Sequence, residues 1–188
     1  MAKPLETRES PLSQQIRALA ACPSGGAFAI ASVEGRVGIE MLDGTPGAQT
    51  VPSAGAADGS IAEPLTQEPS LSSFSFRCHR TKVEGAQVAF PVNCLAFHPS
   101  LGGFASGGCD GEVCTWDAYH RRRLSRWDGY PASIASVAFS QDGTLAAVAS
   151  SYTFEEGEKE HPPDAVFIRR VEAKEVTPKA KKGKESKS

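Results

Sequence analysis

No apolar run in this 188-residue chain extends beyond a few positions before Gly, Ser or a charge interrupts it. That excludes a membrane-spanning helix of about 20 apolar residues. No apolar segment of the signal-peptide kind follows Met1. The five cysteines (Cys22, Cys78, Cys94, Cys109, Cys114) are odd in number and include no C-x-x-C pair. A disulfide mini-scaffold is thereby excluded, and a reducing cytosolic or nuclear compartment is expected. Also absent are a Gly-rich phosphate loop followed by Lys, a nucleophile elbow and an H-E-x-x-H pair. Neither sign of charge dominates: 20 basic against 22 acidic side chains leave a net charge of -2, which argues against a generally nucleic-acid-binding surface. With 40% hydrophobic and 22% charged residues the chain has the composition of a soluble globular protein, not of collagen, coiled coil or a disordered chain.

What is present is a repeat. Residues 16–42, 92–118 and 134–171 each run apolar strand, turn, small-residue strand, tight turn, strand. The opening strands alternate (Ile16, Ala18, Ala20; Val92, Cys94, Ala96; Ile134, Ser136, Ala138), so that at period two one set of side chains shares a sheet face. Pro23-Ser24-Gly25-Gly26, His98-Pro99-Ser100 and Gln141-Asp142-Gly143 supply the restricted or positive φ angles of the first turn, and Glu34-Gly35 and Asp110-Gly111 the second. The strands between are rich in Ala, Ser and Gly, as expected where backbones pack closely between neighbouring sheets. The second and third units start 42 residues apart, within the roughly 40 to 45 of a four-stranded propeller blade.

The expected fold class is therefore all-β, a β-propeller. Residues 1–15 are predicted to form the closing strand of a preceding blade. Residues 16–78 form a blade with a flexible Gly-, Ala-, Pro- and Ser-rich insert at 43–73 and a fourth strand at 74–78. Residues 79–130 form a second blade, 131–171 an incomplete last blade, and 172–188 a basic, disordered, solvated tail.

The stretch from Ser106 through Gly107, Gly108, Cys109, Asp110 and Gly111 to Trp116 and Asp117 resembles the core of a WD repeat and carries its Trp-Asp dipeptide. With Ser32-Val33-Glu34-Gly35-Arg36-Val37 and Phe76-Arg77-Cys78-His79-Arg80, it resembles the family shared by the Bub-type mitotic checkpoint propeller and the Rae-type messenger-RNA export propeller. The string from Tyr130 to Ser136, then Ala149-Ser150-Ser151-Tyr152 and Glu160-His161-Pro162-Pro163-Asp164, is closer to the checkpoint branch. That family builds a seven-bladed ring of about 300 residues. The resemblance thus implies about three blades, the C-terminal half of a ring, as a truncation, a fragment or a chain that pairs with a missing half.

Connectivity puts the Glu34-Gly35-Arg36 turn and the His79-Arg80 segment on the same rim, where two guanidiniums make a clamp for carboxylate or phosphate. The resemblance implies that Arg36, beside Glu34, meets glutamates of a GLEBS-motif peptide carried by checkpoint kinases or related proteins. It implies that Arg80 contacts phosphothreonine of a phosphorylated kinetochore scaffold. His79 is grouped with these peptide-binding residues, and its own chemistry is read as that of a structural hydrogen-bonding residue near the strand end in preference to a metal or catalytic one. Ser106, Asp110, Trp116 and Asp117 are expected to be scaffold. Phe90-Pro91 stands where a WD repeat usually carries Gly-His, so the buried network of the blade is predicted to be incomplete.

The implied function is a non-catalytic peptide-binding adaptor of the spindle assembly checkpoint, nuclear and at kinetochores in mitosis. The alternative is a messenger-RNA export adaptor with a nucleoporin partner. No enzyme activity, cofactor, metal or membrane partner is expected. The acidic run Glu155, Glu156, Glu158, Glu160 with His161 and Asp164 is read as a solvated loop rather than the paired carboxylates of a hydrolase. The patch Arg121, Arg122, Arg123, Arg126, Trp127 and Tyr130 has the composition of an RNA-stacking surface, but strand alternation directs Trp127 between blades, and RNA is not an expected partner.

Overall fold

The computed structural model describes residues 3–42 and 72–178. Strands β1 (Ile16–Ala21), β2 (Ala27–Ser32), β3 (Arg36–Met41) and β4 (Phe74–Arg77) form one antiparallel sheet in that order. Strands β5 (Arg80–Val83) and β6 (Ala86–Ala89) form a separate hairpin. Strands β7 (Val92–Phe97), β8 (Gly103–Gly108), β9 (Val113–Asp117) and β10 (Arg122–Trp127) make the second four-stranded sheet, and β11 (Ile134–Phe139), β12 (Leu145–Ser150) and β13 (Ala165–Arg170) a three-stranded one. A single helical turn, α1 (Ala173–Val176), ends the described chain.

The repeat written in the sequence is a repeat of register. Each opening pair carries an irregularity at the same place, between Ile16 and Ala18, Val92 and Cys94, and Ile134 and Ser136. A bulge turns the extra residue out of the pleat. Here it turns Arg17 and Asn93 toward neighbouring blades: Arg17 donates to Asn93 Oδ1 at 3.2 Å, and Asn93 Nδ2 donates to the Ile134 carbonyl at 3.0 Å. The opening strands β1, β7 and β11 are thereby laced together, with β7 between the other two.

Two cores lie between consecutive blades. Ala29, Val37 and Ile39 of the first pack against Val92, Phe104 and Trp116 of the second. Cys94, Val113 and Trp127 of the second pack against Ile134, Val137 and Val148 of the third. Small residues permit this approach, since a Cβ at Gly107 would overlap Ile134 and Cys94. Burial pushes the Cys94 thiol up to about 12 and the Cys114 thiol up to about 11, so both are protonated packing residues.

Three features differ from the sequence expectation. Residues 3–15 form no strand: among the described residues nothing offers them a ladder partner, and Pro11 and Leu12 instead lie over Gly38, with Leu12 buried. The hairpin β5–β6 was not anticipated; its turn uses Glu84 at φ 49 and Gly85 at φ 84, the left-handed pair that a two-residue hairpin loop requires. The tail expected to be solvated from residue 172 is docked as far as 178, because Val176 is fully buried and Glu175 is bonded to two neighbours. The remainder of that tail, and positions 43–71 of the expected insert, lie outside the described residues.

Candidate peptide-binding rim

The second blade is braced by a four-residue network. The Trp116 indole Nε1 donates to Ser106 Oγ at 2.8 Å, Ser106 Oγ lies 2.8 Å from His79 Nε2, and His79 Nδ1 lies 2.9 Å from both oxygens of Asp110. Because the indole can only donate, Ser106 is free to give its own proton to Nε2. The proton on Nδ1 then goes to the Asp110 carboxylate, and every buried donor has an acceptor. The network predicted to be incomplete is complete: Cys78-His79 fills the place of Gly-His, separated from β7 by the hairpin β5–β6. This also corrects the grouping of His79 with the peptide-binding residues, since its side chain is 0% exposed and its ring is committed at both nitrogens. Ile30 and Val148 occupy the register position of Ser106 in the other two blades, so the brace is built in the second alone.

Asp117 belongs to a different cluster at the far end of β9. Its buried carboxylate accepts from the His120 amide at 3.0 Å, from His120 Nδ1 at 2.8 Å and from Arg122 Nε at 3.3 Å, closing the turn into β10.

Glu34, Arg36 and Arg80 do meet. Gly35, at φ +67, lets the turn between β2 and β3 press against the chain leaving β4; a Cβ there would stand 2.7 Å from the Cys78 carbonyl. The Cys78 amide donates to the Gly35 carbonyl at 2.9 Å. Arg80 Nη2 donates to the Glu34 carbonyl at 2.8 Å, while its Nε is buried without a partner. Arg36 reaches the Glu34 carboxylate at 3.6 Å and Ser75 Oγ at 3.4 Å and keeps 28% of its side chain exposed. One guanidinium therefore fastens the turn and the other faces solvent.

A residue that the sequence reading passed over completes the rim. Arg77 is the direct cross-strand partner of Arg36 in the β3–β4 ladder, and it is exposed. Like charges directly opposite are destabilising. Arg77 and Arg80 also line a cleft of about 750 Å³ with Phe90, Glu112, Arg123 and Arg126. Arg126 is paired with Glu112 and Arg36 lies beside Glu34, whereas Arg77, like Arg123, is exposed to an incoming anion. Its signal lay in the string Phe76-Arg77-Cys78-His79-Arg80, but only the register shows that Arg77 stands opposite Arg36.

Of the other candidates, Glu155, Glu156, Glu160 and His161 line a cavity of about 300 Å³ with Asp110 and Tyr130. Burial works to raise the Glu155 carboxyl, but hydrogen bonds led by that from Ser133 outweigh it and hold the group below its ordinary value. Glu156 pairs with Lys159, and Asp164 accepts from Ser151 at 2.7 Å. Trp127 is buried, with Arg169 stacked 3.9 Å above its ring, and so offers no platform to a base. Among the described residues no three His, Cys, Asp or Glu side chains are grouped as metal ligands, and no helix is long and apolar enough to cross a membrane.

Blades of this register, with a His-Ser-Asp-Trp brace beneath a tight turn, define a WD-repeat protein, and residues 73–117 match the WD domain, G-beta repeat family. Over 181 residues the chain is 43% identical to Mitotic checkpoint protein BUB3.1 of Arabidopsis thaliana, covering 96% of this chain and 47% of that protein. It is 41% identical over 172 residues to Mitotic checkpoint protein bub3 of Dictyostelium discoideum, covering 92% and 46%. To the Poly(A)+ RNA export protein of Schizosaccharomyces pombe it is 31% identical over 178 residues, covering 93% and 44%. The chain belongs to the Bub-type WD-repeat proteins and spans about half the length of the curated relatives it matches.

Proposed function

We propose that this chain forms part of a non-catalytic mitotic checkpoint adaptor that holds acidic and phosphorylated peptides on the rim built by Glu34, Arg36, Arg77 and Arg80. The observation that carries the reading is the cross-strand pair Arg36 and Arg77: two guanidiniums set side by side in one ladder are relieved by an anion lying between them. In this reading Arg36 takes the glutamates of a GLEBS-like segment on a checkpoint kinase. Arg80 holds the Glu34 turn in place and, with Arg77, receives a phosphothreonine of a kinetochore scaffold. The protein works in the nucleus and, in mitosis, at the kinetochore.

Arg36→Glu should abolish binding of a GLEBS-like peptide in a fluorescence polarisation titration while leaving the thermal unfolding transition nearly unchanged, because Arg36 makes only peripheral contacts. Undiminished binding by that variant sinks the proposal. Arg77→Ala should weaken a phosphothreonine peptide more than its unphosphorylated form. Equal losses would remove the phosphate role and favour the export reading, in which a nucleoporin segment uses Arg36 without phosphate. The greater identity to checkpoint relatives than to the export protein supports the first reading.

A further inference from the structure

The docked segment 172–178 is a strap, and its last two described residues are a Thr-Pro pair followed in sequence by Lys179, Lys181 and Lys182. Glu175 sits at its centre: its carboxylate accepts from Trp127 Nε1 at 3.0 Å and from Arg169 Nη2 at 2.8 and 3.1 Å, and its carbonyl accepts from Thr115 Oγ1 at 2.5 Å. Val176 is fully buried with its carbonyl pressed onto Gly103, where a Cβ would clash. The strap therefore joins the second blade to β13 of the third. Thr177 closes it, with both its amide and its hydroxyl donating to the Ala173 carbonyl, at 2.9 and 2.7 Å. The Pro178 ring lies over Gly102 beside Tyr119.

We propose that Thr177 is a phosphorylation site for a proline-directed kinase, and that the phosphate unlatches the strap. A Thr followed by Pro and then by lysines is the sequence such an enzyme reads, and Thr177 already holds the extended backbone (φ -90, ψ 123) that a following proline imposes. A four-residue helix has almost no stability of its own, so the strap opens through loss of its side-chain contacts and presents Thr177 to the enzyme in the open state. Thr177 Oγ1 then bonds to the γ-phosphorus of ATP as the bond from that phosphorus to the β,γ-bridging oxygen breaks. The hydroxyl proton passes to the kinase base, and ADP leaves. The product cannot reclose as before. The hydroxyl donor to Ala173 is gone, and a dianion stands at the carbonyl end of α1, two residues from Glu175, where like charge and the helix dipole both oppose it.

The test treats the full chain with a purified proline-directed kinase and ATP, maps the phosphate by mass spectrometry, and follows amide exchange across 172–178 and the Trp127 emission. The expected result is a phosphate on Thr177, exchange in the strap faster by about tenfold or more, and a red shift as Trp127 loses Glu175. Val176→Ser, which loosens the strap without altering the Thr-Pro pair, should be phosphorylated faster than the parent, and Pro178→Ala should not be phosphorylated at Thr177. A phosphate on Thr177 that leaves exchange and emission unchanged overturns the switch. Absence of phosphate at Thr177 in both the parent and Val176→Ser overturns the site.

Discussion

Two histidines show how differently one side chain is used in this fold. His79 is the middle of the brace under the rim, so removing its acceptor should act on the blade and not on the ligand. Asp110→Ala leaves the His79 Nδ1 proton buried and unpaired, at a cost of about 1 to 3 kcal/mol. A lowered unfolding temperature with little change in peptide affinity is expected; an unchanged melting curve would show that the brace does not bear the blade. His98 is held neutral: its Nδ1 accepts from the Ser100 and Leu101 amides at 3.3 and 3.1 Å, and Nε2 donates to the Gly143 carbonyl at 3.1 Å. Burial pulls its pKa below the ordinary value of 6.5, against the bond to Gly143, which works to raise it. The unfolded chain therefore binds the proton more readily, so this contribution to stability is whole above about pH 6.5 and is lost as pH falls toward the folded value. Unfolding followed from pH 7.5 to 5 should show that decline, and His98→Asn should flatten it; an equal slope in the variant would assign the decline elsewhere. A hydrogen-bonding role for His79 near the strand end was legible but its partners were not, and His98 was legible only as part of a turn. The partner of Ser106 lies 27 positions upstream, across a hairpin, whereas the turns at Glu34-Gly35 and Asp110-Gly111 declared themselves by glycines that adopt φ +67 and +73.

At the scale of elements, the strands of the three blades could be read because each repeats one pattern of alternation and turn chemistry, and the bulges repeat with it. What could not be read were the elements held by contact rather than by pattern. The four-residue α1 has no room for a helical period, and its place is set by Val176 and Glu175 against the second blade. The hairpin β5–β6 alternates too briefly to stand out from a loop. Small residues are legible in kind but not in purpose until the seam between blades is seen. Gly107 is the clearest, since a side chain there must displace Ile134 and Cys94. Gly107→Ala should destabilise the protein by about 1 to 3 kcal/mol through overpacking of this seam. Adding Ile134→Ala should recover part of that loss in a double-mutant cycle. Strict additivity of the two changes would place the strain within β8 rather than between blades.

For the molecule as a whole, the blades bury their faces against one another, and the two ends of the row carry what is left over. At one end Leu19 of β1 is 65% exposed; at the other Val166 and Ile168 of β13 are 67% and 65% exposed, on a strand whose one ladder partner among the described residues is β12. An unpaired strand edge beside apolar side chains is a template for association. The chain should therefore self-associate as its concentration rises. Leu19→Lys with Ile168→Lys should shift sedimentation velocity toward the monomer while hardly moving the unfolding temperature, because both side chains are mainly in water already. The rim carrying Arg36 and Arg77 lies on the β3–β4 ladder, away from both substitutions in the strand pairing, so peptide affinity per folded monomer should be unchanged. Association that persists in the double variant would mean that contact runs through another surface. The Arg77, Arg123 and Arg126 cleft would then be the next place to substitute, because a cleft of mostly one sign can also receive the acidic 155–160 loop of a second copy.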